Sequence, residues 1–142
     1  MKTVRQLLQS KGSQVHSIAS DARVIEALRL MAEKEIGALA VIDGGRLAGM
    51  ISERDYARKV MLLGKSSQDI AVRDIMTPKV HTVELRHTVD ECMAIMTEKR
   101  VRHLPVLDGE RLCGILSIGD LVKEVIAEQQ QTIRQLETDI HM

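Results

Sequence analysis

Aromatic side chains are almost missing from this sequence: Tyr56 is the only one among 142 residues, and there is no tryptophan or phenylalanine. A surface that stacks the bases of single-stranded nucleic acid is therefore not expected. Net charge is missing too, since 20 basic residues balance 20 acidic ones. No overall field attracts DNA, RNA or an anionic membrane. Small ligands and proteins remain as partners.

Cysteine and long apolar runs are also scarce. Cys92 and Cys113 are the only cysteines, which is too few for a disulfide framework and gives no metal-ligand set, so both are expected to be buried thiols. The first residues alternate apolar with polar groups, so neither a signal peptide nor a membrane span is expected. These observations predict a cytoplasmic protein without a metal site.

What the sequence does contain is a repeat. Residues 15–56 align without a gap with residues 80–121, and 16 of the 42 aligned pairs are identical. A repeat predicts two similar structural units, so a site in one unit should recur in the other. The predicted divisions are an N-terminal helical segment over 1–14, a first repeat over 15–63, a linker over 64–79, a second repeat over 80–126 and a C-terminal helical extension over 127–142.

Each repeat is predicted to form strand, helix, strand, strand and helix. Short strands are expected at residues 15–17 and 80–82. Helices follow at Val24 and Val89, where apolar residues recur at i, i+3, i+4 and i+7. In the middle of each repeat, Asp-Gly joins two apolar runs into a hairpin. The pattern is that of an α/β protein.

Helix starts and the C-terminal segment give further predictions. Thr88 and Glu91 predict a capping box at the second of the two helices, whereas Ser20 or Asp21 could cap the first. Beyond the second repeat, apolar residues and one glutamine recur at alternating spacings of four and three up to Ile140. This heptad stripe predicts a helix that either lies on its own domain or pairs across a dimer.

Both repeats close on the same pattern of glycine, two aliphatic residues, serine, two variable residues and aspartate, over 49–55 and 114–120. A glycine inside a strand indicates a close approach to the backbone, either by a ligand or by a packed helix. Serine and aspartate at a helix start form an ordinary capping box or hold a phosphate or hydroxyl-rich ligand. The occurrence of the pattern in both repeats favours a ligand.

These closings, the Asp-Gly hairpins and the run Arg-Asp-Ile-Met-Thr before the second repeat resemble the CBS-domain family, and the pair resembles a Bateman module. The resemblance implies two β-α-β-β-α repeats packed about a pseudo-twofold axis as a parallel-stranded α/β body, with an N-terminal helix and an extended C-terminal helix. It also implies two clefts between the repeats that bind AMP, ATP, NAD or a related adenosyl compound.

By this resemblance, Asp55 and Asp120 hold ribose hydroxyls and each cleft is completed by the other repeat. The Asp55 cleft is predicted to be cationic and to take the phosphorylated ligand, because arginine and histidine hold phosphate well; its residues are Ser52, Arg54, Asp55, Thr77, Val80, His81, Arg102 and His103. The Asp120 cleft is predicted to be apolar, to be empty or to take an adenosine moiety; its residues are Val15, His16, Ile36, Gly37, Ser117 and Asp120.

No sequence pattern of catalysis accompanies these clefts. The histidines are scattered, and the two aspartates repeat as equals and not as an acid and a base in different environments. We therefore predict a regulatory sensor without catalytic residues, a homodimer that signals to an unknown protein partner. The alternative is a structural dimerisation or interaction module with vestigial or empty clefts.

Overall fold

The computed structural model describes residues 2–141 and shows an α/β fold with two three-stranded sheets. The α-helices are α1 Val4–Lys11, α2 Val24–Lys34, α3 Glu53–Tyr56, α4 Val72–Ile75, α5 Val89–Lys99 and α6 Ile118–His141, and a π-helical segment over Ala57–Met61 continues α3. The strands are β1 Ser17–Ile18, β2 Ala38–Asp43, β3 Arg46–Ser52, β4 Val83–Glu84, β5 His103–Asp108 and β6 Arg111–Ser117. The predicted fold class, with its N-terminal helix and long C-terminal helix, is confirmed.

The chain divides into two compact units, and each unit contains segments that lie far apart in the sequence. The repeat-1 unit consists of Gln14–His81 and the hairpin tip Asp108–Cys113. The repeat-2 unit consists of the N-terminal segment up to Ser13, Thr82–Leu107 and the segment from Gly114 onward. The N-terminal helix α1 therefore belongs with the second repeat. The linker helix, α4, belongs with the first repeat.

In the repeat-1 unit, α2 and α4 pack on one mixed sheet. Strand β1 runs parallel to β2, and β2 runs antiparallel to β3, so the body is not purely parallel-stranded as the family resemblance implied. Glycines at positive φ form the hairpin turn, as the Asp-Gly pair predicted. The core is entirely aliphatic and includes Val24, Met31, Leu39, Val41, Ile51, Val60, Val72 and Ile75.

In the repeat-2 unit, α1 takes the place that α4 has in the other unit. The Val4 N–H donates to the His87 carbonyl at 2.8 Å, as the Val72 N–H of α4 donates to the Ala22 carbonyl, at the equivalent repeat position, at 2.8 Å. Val4, Leu7 and Leu8 of α1 are all at most 6% exposed. Helix α1 is thus part of the core of a repeat that lies far from it in sequence.

Two local predictions were wrong. Strands β1 and β4 begin later than predicted, so residues 15–16 and 80–82 precede them, because strands of two residues are too short to give a pattern. Helix α2 begins after Arg23, whose N–H donates to Glu26 at 2.8 Å, so neither Ser20 nor Asp21 caps it. The Thr88–Glu91 capping box is confirmed, with bonds of 3.1 and 3.2 Å.

The thiols differ in burial. Cys92 is fully buried, as predicted, and burial raises the pKa of its thiol to about 11. Cys113, inside β6, is only half-buried, so the prediction of a buried thiol is confirmed for Cys92 alone. Within residues 2–141, no helix is long and apolar enough to cross a membrane.

Gly49 in β3 and Gly114 in β6 lie where another segment of the protein packs directly against the strand. A Cβ at Gly49 would lie 2.5 Å from the Thr77 carbonyl oxygen, and a Cβ at Gly114 would lie 2.8 Å from a Leu8 methyl group. Thr77 and Met50 exchange backbone hydrogen bonds of 2.8 and 3.0 Å. Of the two explanations that the sequence left open, close protein packing therefore accounts for both glycines.

We expect Gly49→Ala to lower the free energy of unfolding by about 1–3 kcal/mol, because the new methyl group collides with the Thr77 backbone, which is held in place by its hydrogen bonds to Met50. Gly114→Ala should cost less, since the Leu8 side chain can rotate. Gly119→Ala is the control: this glycine lies in the first turn of α6, where a Cβ would make only an ordinary contact of 3.6 Å with Ser117 Oγ, and alanine favours a helix. Urea unfolding of the three variants measures the order, and an equal loss at Gly49 and Gly119 would contradict it.

Candidate functional site

The closing segment of repeat 1 forms a capping box at the start of α3. The Ser52 N–H donates to Asp55 Oδ2 at 2.9 Å, and the Asp55 N–H donates to Ser52 Oγ at 3.2 Å. The Ser52 hydroxyl also donates to Asp55 Oδ2 at 3.1 Å. These bonds hold one carboxylate oxygen, while the side chain as a whole stays 17% exposed.

The closing segment of repeat 2 repeats this geometry at the start of α6. The Ser117 N–H donates to Asp120 Oδ2 at 2.8 Å, and the Asp120 N–H donates to Ser117 Oγ at 3.1 Å. The Asp120 side chain is 22% exposed. The recurrence predicted from the sequence is therefore present in three dimensions: each repeat fixes one serine and one partly exposed carboxylate in the same local arrangement.

Each carboxylate also has a lysine partner, which the sequence analysis missed. Lys59, one helical turn after Asp55, places Nζ 3.4 Å from Asp55 Oδ1. Lys11, at the end of α1, places Nζ 3.1 Å from Asp120 Oδ2. The expectation that Asp120 has apolar surroundings is wrong in this respect, because α1 folds onto the second repeat. The i, i+4 spacing could have shown the first pair; no local signal marks the second.

Residues before each hairpin lie beside the closing segment of their own repeat. The Glu53 N–H donates to the Gly37 carbonyl at 3.0 Å, and the Ile118 N–H donates to the Arg102 carbonyl at 2.9 Å. Gly37 and Arg102 hold equivalent positions in the repeat alignment. Within the repeat-2 unit this brings Arg102 and His103 close to Asp120; the predicted approach of these two residues to Asp55 stays a prediction.

Charge and burial oppose each other around Asp120. Burial disfavours its charge, but the hydrogen bond from the Ser117 N–H and the ion pair with Lys11 outweigh burial and hold the pKa of this carboxyl below its ordinary 3.8. Burial also lowers the pKa of His103; the charges of Arg102 and Lys11 lower it further, and Asp120 opposes them. At neutral pH the site therefore holds a carboxylate, an ammonium, a guanidinium and a neutral imidazole.

The lowered pKa of Asp120 gives a pH prediction. The unfolded chain takes up a proton at a higher pH than the folded chain does, so this group's contribution is present above pH 3.8 and is lost as the pH falls through the folded pKa. We expect Lys11→Gln to reduce the loss of stability between about pH 5 and pH 3. Chemical unfolding across that range, with Lys79→Gln as an exposed-lysine control, measures the difference. Parallel pH curves for wild type and Lys11→Gln would contradict it.

The remaining candidate residues are distributed over both units. Thr77 is exposed and pairs with Met50, two residues before Ser52, so it lies near the Asp55 capping box. Arg54 and His81 are exposed in the same unit. Val15, His16, Ile36 and Val80 are half-buried there, and the His16 carbonyl accepts from the Ala40 N–H at 3.4 Å. In the described part of the chain, no cluster of three or more His, Cys, Asp or Glu side chains could hold a metal ion.

Known proteins are similar to this chain in sequence and in fold. Residues 4–62 and 72–127 match the CBS domain family. The chain is 36% identical to the CBS domain-containing protein CBSX3, mitochondrial, of Arabidopsis thaliana, with 94% of this chain and 69% of that protein aligned. A solved CBS-domain protein from Burkholderia ambifaria MC40-6 is 53% identical, with a TM-score of 0.86 over 90% of this chain and 96% of that one.

A third comparison shows the fold alone. The CBS domain pair of protein MJ0100, solved in complex with 5′-methylthioadenosine and S-adenosyl-L-methionine, is 24% identical, with a TM-score of 0.80 over 90% of this chain and 98% of that one. The family match covers both repeats, so this chain has the class of proteins with paired CBS repeats, which are regulatory modules. This chain belongs to the CBS-domain family.

Proposed function

We propose that this chain is a regulatory module that binds an adenine nucleotide, AMP, ATP or NAD, and passes the change on to a protein partner. The observation that carries the proposal is the pair of serine–aspartate capping boxes, each with a partly exposed carboxylate. An ionised carboxylate accepts hydrogen bonds from the two hydroxyls of a ribose. The same fold in protein MJ0100 holds adenosyl ligands.

The proposed residues are those that the sequence predicted. The phosphorylated ligand would use Asp55 and Ser52, with Arg54, Thr77, Val80, His81, Arg102 and His103. The second adenosyl ligand would use Asp120 and Ser117, with Val15, His16, Ile36 and Gly37. Lys11 is an addition to the second set, since its ammonium already lies beside Asp120 and would meet a phosphate or a carboxylate of the ligand.

Calorimetric titration with AMP, ADP, ATP, NAD, S-adenosylmethionine and adenosine tests the proposal. Arg102→Ala should weaken AMP binding by about tenfold to a hundredfold, because a hydrogen bond to a charged group contributes about 1.5–3 kcal/mol, and should leave adenosine binding nearly unchanged. Arg111→Ala, an exposed arginine at the other end of the hairpin, is the matched control. Undiminished AMP binding by Arg102→Ala would remove Arg102 from the site.

The alternative is a structural dimerisation or interaction module without a ligand. One observation favours it: both aspartates already have helix-capping and lysine partners, so each has a structural role of its own. Mass spectrometry of small molecules released from the purified native protein separates the two proposals. A bound nucleotide supports the regulatory module. Absence of a nucleotide, together with no thermal shift from the panel, supports the structural module.

A further inference from the structure

The outer half of α6 has an apolar face that the chain itself does not cover. Every residue from Gln129 to Ile140 is exposed. The heptad stripe continues through this part, and its apolar members are 40–78% exposed: Val122, Ile126, Ile133, Leu136 and Ile140. Of the two predictions left open by the sequence, packing on its own domain is therefore wrong for residues 129–140. The CBS match ends at residue 127, so this face lies mostly outside the family domain.

We propose that a second copy of this chain covers this face, with the two α6 helices antiparallel. Isoleucines occupy one core position of the heptad, at 126, 133 and 140, and Val122, Gln129 and Leu136 occupy the other. In an antiparallel pair these two kinds of position meet across the interface. Ile126 then lies against the partner's Leu136, and Ile140 lies against the partner's Val122. The inference does not depend on nucleotide binding.

The charges beside the stripe favour this orientation. In the antiparallel register, Lys123 of each copy lies next to Glu137 of the other, so two opposite-charge pairs form by symmetry. In a parallel pair the four carboxylates of Glu137 and Asp139 would gather at one end, beside the two negative helix termini. Lys123 would then have no acidic partner. Gln129 meets Ile133 near the centre, where its amide can reach solvent.

Sedimentation equilibrium of the full chain tests the surface. Ile133→Lys places a charge in the centre of the stripe and should raise the dissociation constant of the dimer at least tenfold, on the order of a buried side chain's contribution. Gln131→Lys adds the same charge on the opposite side of the same helix and should change nothing. The proposal would be overturned if Ile133→Lys left self-association unaltered. It would also be overturned if the wild type were monomeric at about 100 μM, a concentration at which even a weak specific dimer forms.

Charge reversal and cross-linking test the orientation. Lys123→Glu and Glu137→Lys should each weaken the dimer by about threefold to tenfold, and the double reversal should restore it, because exposed pairs contribute about 0.2–1 kcal/mol each. In a Cys113→Ser background, Gln130→Cys should form a disulfide-linked dimer upon oxidation, and Ile140→Cys should not. Cross-linking by Ile140→Cys with additive charge reversals would show a parallel pair and overturn the antiparallel one.

Discussion

Replacing both Asp55 and Asp120 by asparagine is expected to weaken nucleotide binding at both sites while the fold persists. Asparagine keeps an oxygen that accepts the serine N–H at the helix start, so the cap survives in part. It loses the charge that strengthens hydrogen bonds from ribose hydroxyls, which should weaken each site at least tenfold. Calorimetry with AMP and with adenosine measures the loss, and circular dichroism and urea unfolding report the fold.

The control for this experiment is Glu91→Gln. Glu91 occupies the same capping-box position at α5, where it accepts from the Thr88 N–H at 3.1 Å, but it lies outside both proposed sites. Glu91→Gln should weaken a helix cap and still bind the nucleotide. If the aspartate variants lost only the stability of their caps, they would bind the nucleotide as well as Glu91→Gln does. The two single aspartate variants then distinguish the sites: AMP binding should fall most in Asp55→Asn if the phosphate lies there. Full AMP affinity in the double variant would contradict the assignment of both aspartates.

Substituting Leu7 of the N-terminal helix should destabilise the second repeat. Leu7 is 5% exposed within the repeat-2 unit, so Leu7→Ala removes core contacts and should lower the free energy of unfolding by about 2–4 kcal/mol. Hydrogen exchange followed by mass spectrometry locates the effect. We expect faster exchange in α5, β5 and β6, with little change in α2, β2 and β3.

Gln9→Ala is the matched substitution for this test, because Gln9 is an exposed residue of the same helix and alanine is a good helix former. It should leave exchange in both repeats close to that of wild type. If Leu7→Ala instead accelerates exchange mainly in the first repeat, the assignment of α1 to the second repeat is wrong.

The sequence predicted those features that depend on residues close together in the chain. The stripes beginning at Val24 and Val89, the Asp-Gly hairpins and the Thr88–Glu91 cap are all present, because period, turn chemistry and capping act within a few residues. The repeat alignment also located the two serine–aspartate pairs. Strands β1 and β4 were misplaced because a strand of two residues has no period to detect.

Features that depend on long-range packing could not be predicted in this way. Nothing near Lys11 in sequence indicates that it meets Asp120, and nothing near Gly114 indicates that Leu8 fills the space beside it. Both contacts require α1 to fold onto the second repeat. The sequence left a ligand and a packed helix as equal explanations for Gly49 and Gly114, because the segments that pack beside these glycines, at Thr77 and Leu8, lie outside the aligned repeats.

The placement of α1 also has a consequence for folding during synthesis. Gln14–His81, which makes up nearly all of the repeat-1 unit, is continuous in sequence, so its core can assemble as soon as the linker helix has left the ribosome. Helix α1 is made earlier, yet its buried face stays exposed until α5, β5 and β6 have been translated, because domains fold as their segments become available. During that interval the apolar side chains of Val4, Leu7 and Leu8 are exposed to water, so the nascent chain can bind chaperones or exchange its N-terminal segment with a neighbouring chain.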